Sequence, residues 1–157
     1  MGAVSPLAGH GGDSPLDKHR QSVDQPSGYE NKLIAGLDDP LPDVATTCAW
    51  ILGERGAIGA VQALCDALAR RADLIDVCVA VIRALANIGD ERAVPSLSEA
   101  ARHGPVKVRL HAVEALGRFD HQEAYRTLRH VARSDRSTRV REAAMRSLAD
   151  AGTTATG

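Results

Sequence analysis

Aromatic side chains are scarce in this sequence of 157 residues: Trp50, Tyr29, Tyr125 and Phe119 are the whole supply, 3% of the chain. Alanine and leucine must therefore fill the interior, which suits closely packed helices better than a β-sandwich. Cysteine is nearly as rare. Cys48, Cys65 and Cys78 are an odd number at spacings of 17 and 13, so the close ligand pairs of a zinc site are missing. Their apolar neighbours mark them as small buried thiols. No apolar run approaches the ~20 residues that cross a bilayer. The opening "MGAVSPLAGHGGDSPLDKHR" has no basic stretch followed by an apolar one, and Pro6 stands where a myristoylation motif wants serine or threonine. Neither a secretory signal nor a lipid anchor is expected, so the cytoplasm is the expected compartment and no membrane partner is called for.

A dominant charge is missing too. The formal net charge of −1 conceals an asymmetry: residues 1–90 carry 7 basic and 12 acidic side chains, whereas residues 91–157 carry 12 and 8. A dipolar molecule of this kind can steer a charged partner.

What the chain does have is a repeat. Val44, Val77, Val108 and Val140 align at spacings of 33, 31 and 32. Four residues on stand Cys48, Val81, Ala112 and Ala144; eight on stand Leu52, Leu85, Leu116 and Leu148. Positions 0, 4 and 8 share one face of an α-helix, so each segment reads as a helix with a narrow apolar stripe. The register continues through Ala60, Ala93 and Ala124, then Leu64, Leu97 and Leu128, then Leu68, Ala101 and Ala132, which is a second amphipathic helix in each unit. Gly56, Gly89 and Asp120 occupy the aligned turn between the two, as residues that tolerate a helix stop.

The boundaries agree with this division. Asp43 is expected to cap the first helix of unit one. Gly104 with Pro105 ends one helix and opens the next, and Pro95 falls in a first turn, where its missing N–H does little harm. "LIDVCVAVI" is rich in branched residues yet falls in register with three helices, so it is read as a buried helix rather than a strand. One two-helix unit cannot cover its own apolar face; stacked units can. The fold class that follows is all-α, an α-solenoid of about three and a half helical hairpins.

The run "GDERAVPSLSEAARHGPVKVRLHAVEALGRF" resembles the short HEAT-like repeats also found in phycobilin lyases. Three features carry the likeness: a Gly-Asp turn, an Ala-Val-Pro opening the second helix, and a Val-Arg opening the next unit. It spans about residues 38–152, and unit one departs from it with "GERGAIGAVQAL". The resemblance implies the solenoid and says little of function, because such repeats serve many proteins. It also implies that the second helices line the concave side.

The ends frame the array. Residues 1–27, rich in glycine, serine and proline, are expected to form a disordered arm, residues 28–152 the repeat domain, and residues 153–157 a flexible tail. "SGYE", Ser27 to Glu30, has capping-box spacing and is expected to start a short helix reaching about Leu37, with Leu33, Ile34 and Leu37 covering the open end of unit one. At the other end "STRVREAAMRSLAD" reads as a first helix without its partner. It is expected to cap the stack, with an outer face around Met145 and Leu148 as a second reading.

Chemistry is conspicuous by its absence. No HExxH, GxSxG, phosphate-cradling glycine loop or Cys-His arrangement is present. Deoxyhypusine hydroxylase, a HEAT-like enzyme, binds two irons through His-Glu pairs, and this chain has none; His121-Gln122-Glu123 comes nearest. His111 reads as a surface or groove residue rather than a ligand. A bilin lyase needs a larger solenoid than three and a half units. No catalytic residue, metal or cofactor is assigned, and the chain is read as no enzyme. The second helices say more. Off their apolar stripe they present Gln62, Cys65, Asp66 and Ala69 in unit one, Ser98, Glu99 and Arg102 in unit two, and Arg126, Arg129, His130 and Arg133 in unit three. That face is expected to run from neutral or acidic to basic. Glu99, Arg102, Arg126, Arg129, His130 and Arg133 are the candidate partner-binding residues of a protein-binding adaptor whose partner presents an acidic patch. The alternative partner is nucleic acid, because some alkylpurine DNA glycosylases resemble this fold. The near-neutral charge, the few aromatics and the basic residues confined to half the array speak against it.

Overall fold

A leucine every 31 to 33 residues, each eight past a valine or its equivalent, demands paired helices stacked on one another. The computed structural model has them throughout residues 25–155, the part of the chain it describes. A short α1 (Gly28–Gly36) is followed by α2 (Pro42–Glu54) and α3 (Val61–Arg70), α4 (Ile75–Ile88) and α5 (Val94–His103), α6 (Val106–Leu116) and α7 (Gln122–Ser134), and a final α8 (Thr138–Ala155). Single 3₁₀ turns, Ile58–Ala60 and Glu91–Ala93, lead into α3 and α5. No strand occurs among the described residues. The molecule is an all-α solenoid: α2, α4, α6 and α8 stack as one layer, and α3, α5 and α7 form the other.

Leu52, Leu85 and Leu116 are completely buried, and Leu148 is partly buried against the same core. The second-helix column, Leu64, Leu97 and Leu128, is buried as fully, with Ala60, Ala93 and Ala124 closing the crossings. At about 25 cal/mol per Å², each such leucine contributes roughly 1.5–3 kcal/mol. The branched run in α4 is explained by its place in the middle of the stack. Covered by α2 on one side and α6 on the other, α4 buries Val77, Cys78, Val79, Val81, Ile82, Ala84, Leu85 and Ala86.

Small residues set how closely the first helices approach. A Cβ added at Gly53 would lie 2.7 Å from the Cα of Ala84, and one at Gly117 would lie 2.8 Å from the Cβ of Ser147. Gly53 and Gly117 share one register position and Ala84 and Ser147 another, so the same tight crossing recurs at the first and last junctions of the layer.

Three expectations need correction. Val44 is 36% exposed and Cys48 only partly buried, whereas Ala45 and Ala49 are fully buried. The end helix α2 has one neighbour in its layer and turns its stripe by one residue to meet it. Asp43 does not cap α2: the N-cap is Leu41, the helix opens with Pro42, and Asp43 lies inside the first turn. The cap is replaced by Asp39, whose carboxylate accepts the Leu41 N–H at 2.9 Å. The unit-three turn also differs. Gly56 and Gly89 adopt left-handed backbone with φ of 60° and 72°, but no non-glycine among the described residues does. α6 ends earlier, at Leu116, and the chain closes with i→i+3 bonds from Arg118 and Phe119, so Asp120 needs no special conformation. Its carboxylate accepts the Tyr125 hydroxyl at 2.9 Å instead.

The N-terminal box forms as the spacing requires. Ser27 Oγ accepts the Glu30 N–H at 3.2 Å, and Glu30 Oε2 accepts the Ser27 N–H at 3.1 Å. Leu33 and Leu37 are buried over the end of unit one, with Ile34 partly so. Most of the arm expected at residues 1–27 lies outside the described residues, which begin at 25; at the other end α8 continues to Ala155.

Arginines lash the loops between units. Arg71 donates to the carbonyls of Leu37 and Asp39 at 2.8 and 3.0 Å, fastening the cap segment to α3. Arg109 forms a two-pronged pair with Asp135 at 2.9 and 3.1 Å and donates to the Gly104 carbonyl at 2.8 Å. The two side chains are 5% and 6% exposed, so α6 is tied to the α7–α8 loop by a buried ion pair. Arg141 then closes the same loop through the Asp135 carbonyl at 2.6 Å.

Candidate interaction surface

The second helices place their off-stripe residues by helical geometry. α7 buries Ala124, Thr127, Leu128, Val131 and Ala132 and leaves Arg126, Arg129, His130 and Arg133 exposed on the opposite side. Spacings of three and four bring these four onto one face. Arg126, Arg129 and Arg133 form no ion pair among the described residues. The His130 ring lies 3.3 Å from the Ser134 hydroxyl, which donates to the His130 carbonyl at 2.7 Å.

Glu99 and Arg102 lie on α5. Arg102 reaches toward α7 and donates to the Thr127 hydroxyl at 3.0 Å, so it adjoins the α7 cluster. Glu99 faces away from that cluster's side of the helix: its carboxylate lies 3.9 Å from His103 and borders the groove between α3 and α5. Of the residues read as lying off the apolar stripe, two are buried: Ser98, at 1% exposure, and Cys65, at 7%, the latter as expected of a buried thiol. Each second helix is flanked by both its hairpin partner and its neighbours, so the covered stripe is wider than one column. Ser98 Oγ has no hydrogen-bond partner among the described residues.

The two layers are not equally tight. α2 and α4 run in close contact along their length, whereas α3 and α5 touch lightly and are parted by a groove of about 620 Å³.

Burial pushes the thiols of Cys48, Cys65 and Cys78 up from their ordinary value, which keeps them protonated and weakly nucleophilic at neutral pH. His121 caps α7, its ring nitrogen accepting the Glu123 N–H at 3.2 Å. Burial, and then Arg83, hold His111 below the usual imidazole range although Glu114 pulls the other way. No group of three or more His, Cys, Asp or Glu side chains that could hold a metal ion occurs among the described residues. Nor is any of their helices long and apolar enough to cross a membrane.

Sequence reasoning missed two features. One is the buried Arg109–Asp135 tie, whose signal was an arginine in a register position held by Ala45 and Cys78 in earlier units. The other is a pair of grooves on the first-helix layer that share Arg83 and Asn87, the first of them bordered by Trp50, a tryptophan at a solvent-facing register position.

Paired antiparallel helices, a shared apolar seam and grooved polar faces define a helical-repeat protein of the α-solenoid class, a fold suited to protein–protein interaction. The HEAT repeats family matches the chain over residues 30–108 and 99–156, and the chain belongs to that family. No curated protein matches the chain.

Proposed function

We propose that this HEAT-repeat protein is a cytoplasmic adaptor that binds a partner protein through the exposed basic face of its C-terminal second helices. The observation that supports the reading most is the α7 cluster, in which Arg126, Arg129 and Arg133 stand exposed on one face without an acidic partner among the described residues. Isolated surface arginines stabilise a fold little, whereas a ready fork of donors suits carboxylates. Arg102 widens the cluster toward α5 and His130 belongs to it on α7, whereas Glu99, at the edge of the α3–α5 groove, is the acidic member of the proposed surface.

The test is affinity capture with the parent chain and with the triple variant Arg126→Glu, Arg129→Glu and Arg133→Glu, compared by mass spectrometry. The main partner should be lost with far-UV circular dichroism unchanged, and the lost protein should carry an acidic surface. Undiminished capture rejects the basic-face reading. A gel shift on duplex DNA, retained by the parent and abolished by the variant in a salt-dependent way, would assign the cluster to nucleic acid instead.

A further inference from the structure

Trp50 is the chain's one tryptophan, and it is 59% exposed. The core does not need it. Six residues past the aligned valine, the other units place Arg83, Glu114 and Arg146, all exposed. An indole left mostly exposed at a register position otherwise given to charge adds little to the core, while tryptophan and arginine are the residue types that most often anchor interfaces.

Trp50 borders a groove of about 280 Å³ between α2 and α4. Ala80 and Ala84 line it from α4, and Thr46 and Thr47 from α2. The threonine hydroxyls already donate to the carbonyls of Pro42 and Asp43, at 2.8 Å each, so what these residues offer the groove is apolar. The volume is just short of the ~300–1,000 Å³ of small-molecule sites and matches one large side chain better than a whole ligand.

Arg83 forms the far side. It is exposed and makes no ion pair among the described residues. It also lines a second groove, of about 240 Å³, between α4 and α6, where Arg118 donates to Asn87 Oδ1 at 3.1 Å. Arg83 and Arg118 outnumber Glu114 among the charged side chains of that second groove, so its lining is net positive.

We infer that the first-helix layer carries a second docking surface, for a partner-protein segment with a large apolar side chain beside a carboxylate. The apolar side chain packs against Trp50 between α2 and α4, and the carboxylate meets Arg83. Charge complementarity selects this occupant: the groove joins an apolar floor to one unpaired guanidinium. A nucleic-acid strand is disfavoured by the single aromatic and by Glu54 and Glu114, which hold the same register positions as Asn87 and Trp50. This surface lies on the opposite layer from the α7 cluster and stands or falls independently of it.

The experiment is selection of a random peptide library on the full chain, followed by titration of the enriched peptides. Peptides with an apolar residue adjoining Asp or Glu should be enriched and should shift the emission of Trp50 on binding. Trp50→Ala and Arg83→Glu should each weaken binding at least about tenfold, with helicity unchanged because both side chains are exposed. The α7 triple variant should bind these peptides as the parent does. No enrichment, enrichment of basic peptides, affinity indifferent to Trp50 and Arg83, or an oligonucleotide that binds in an Arg83-dependent way would each overturn the inference.

Discussion

Replacing Asp135 by alanine tests the account of what holds the last units together. Asp135 accepts two bonds from Arg109 and, through Oδ1, the Ser137 N–H at 2.8 Å. Arg109 is 5% exposed at its side chain and would retain only the Gly104 carbonyl. Removing one member of a buried pair leaves an uncompensated charge, which costs about 3–5 kcal/mol. For a chain of this size that lowers Tm by about 10 °C, at ~2–4 °C per kcal/mol. Urea and thermal unfolding followed by circular dichroism measure it directly. The pH dependence is a second readout. Burial pushes the Asp135 carboxyl up, but the Arg109 bonds, the Ser137 N–H and the nearby guanidinium charges bring it below its ordinary 3.8. A carboxyl depressed in the folded state stabilises fully above the unfolded value and loses that stabilisation as pH falls through the folded one. The gap between parent and variant should therefore hold from neutral pH down to about 4 and close below it. Asp135→Asn, which keeps acceptors but no charge, should fall between the two. A loss under about 1 kcal/mol, as for an exposed pair, would refute the reasoning.

Two further substitutions probe the stack. Leu116→Asp puts a carboxylate at a fully buried seam position and should abolish cooperative unfolding near the parent Tm; a parental melting curve would mean that the register is misassigned. Gly53→Val forces α2 away from Ala84, whose Cα would lie 2.7 Å from the new Cβ, and should cost about 1–3 kcal/mol. Gly152→Ala, with nothing within 4 Å, should be neutral or stabilise α8 by up to about 1 kcal/mol in the same urea melts.

How legible each element was depended on whether its signal was local. The capping box at Ser27 and the proline boundaries at Pro95 and Pro105 were readable because caps and proline act over three or four residues. Val44 misled for the opposite reason: its register matched the other units, but α2 stands at the end of its layer, and the missing neighbour changed which side needed covering. Asp43 misled because the helix begins one residue earlier, at Pro42, just as α4 begins at Ile75 with Asp76 inside its first turn. Ser98 was misplaced by a related blindness, since a one-helix stripe cannot show how many helices will crowd it. The α7 arginines were readable as an exposed face because their helix is so sharply divided, with every apolar residue on one side. The groove at Trp50 was not, because it belongs to two helices 33 residues apart in register.

The repeat period and its leucine column were enough, without coordinates, to determine paired helices and their stacking. Helical periodicity decides which side must leave water, and a unit too small to cover itself must find a neighbour. Only the tertiary structure decided how closely the helices approach. Gly53 against Ala84 and Arg83 beside Trp50 join residues from different units, and Arg109 against Asp135 joins the two ends of unit three. Such meetings depend on the rise and rotation between units, which follow from packing summed over the whole stack and not from any one segment.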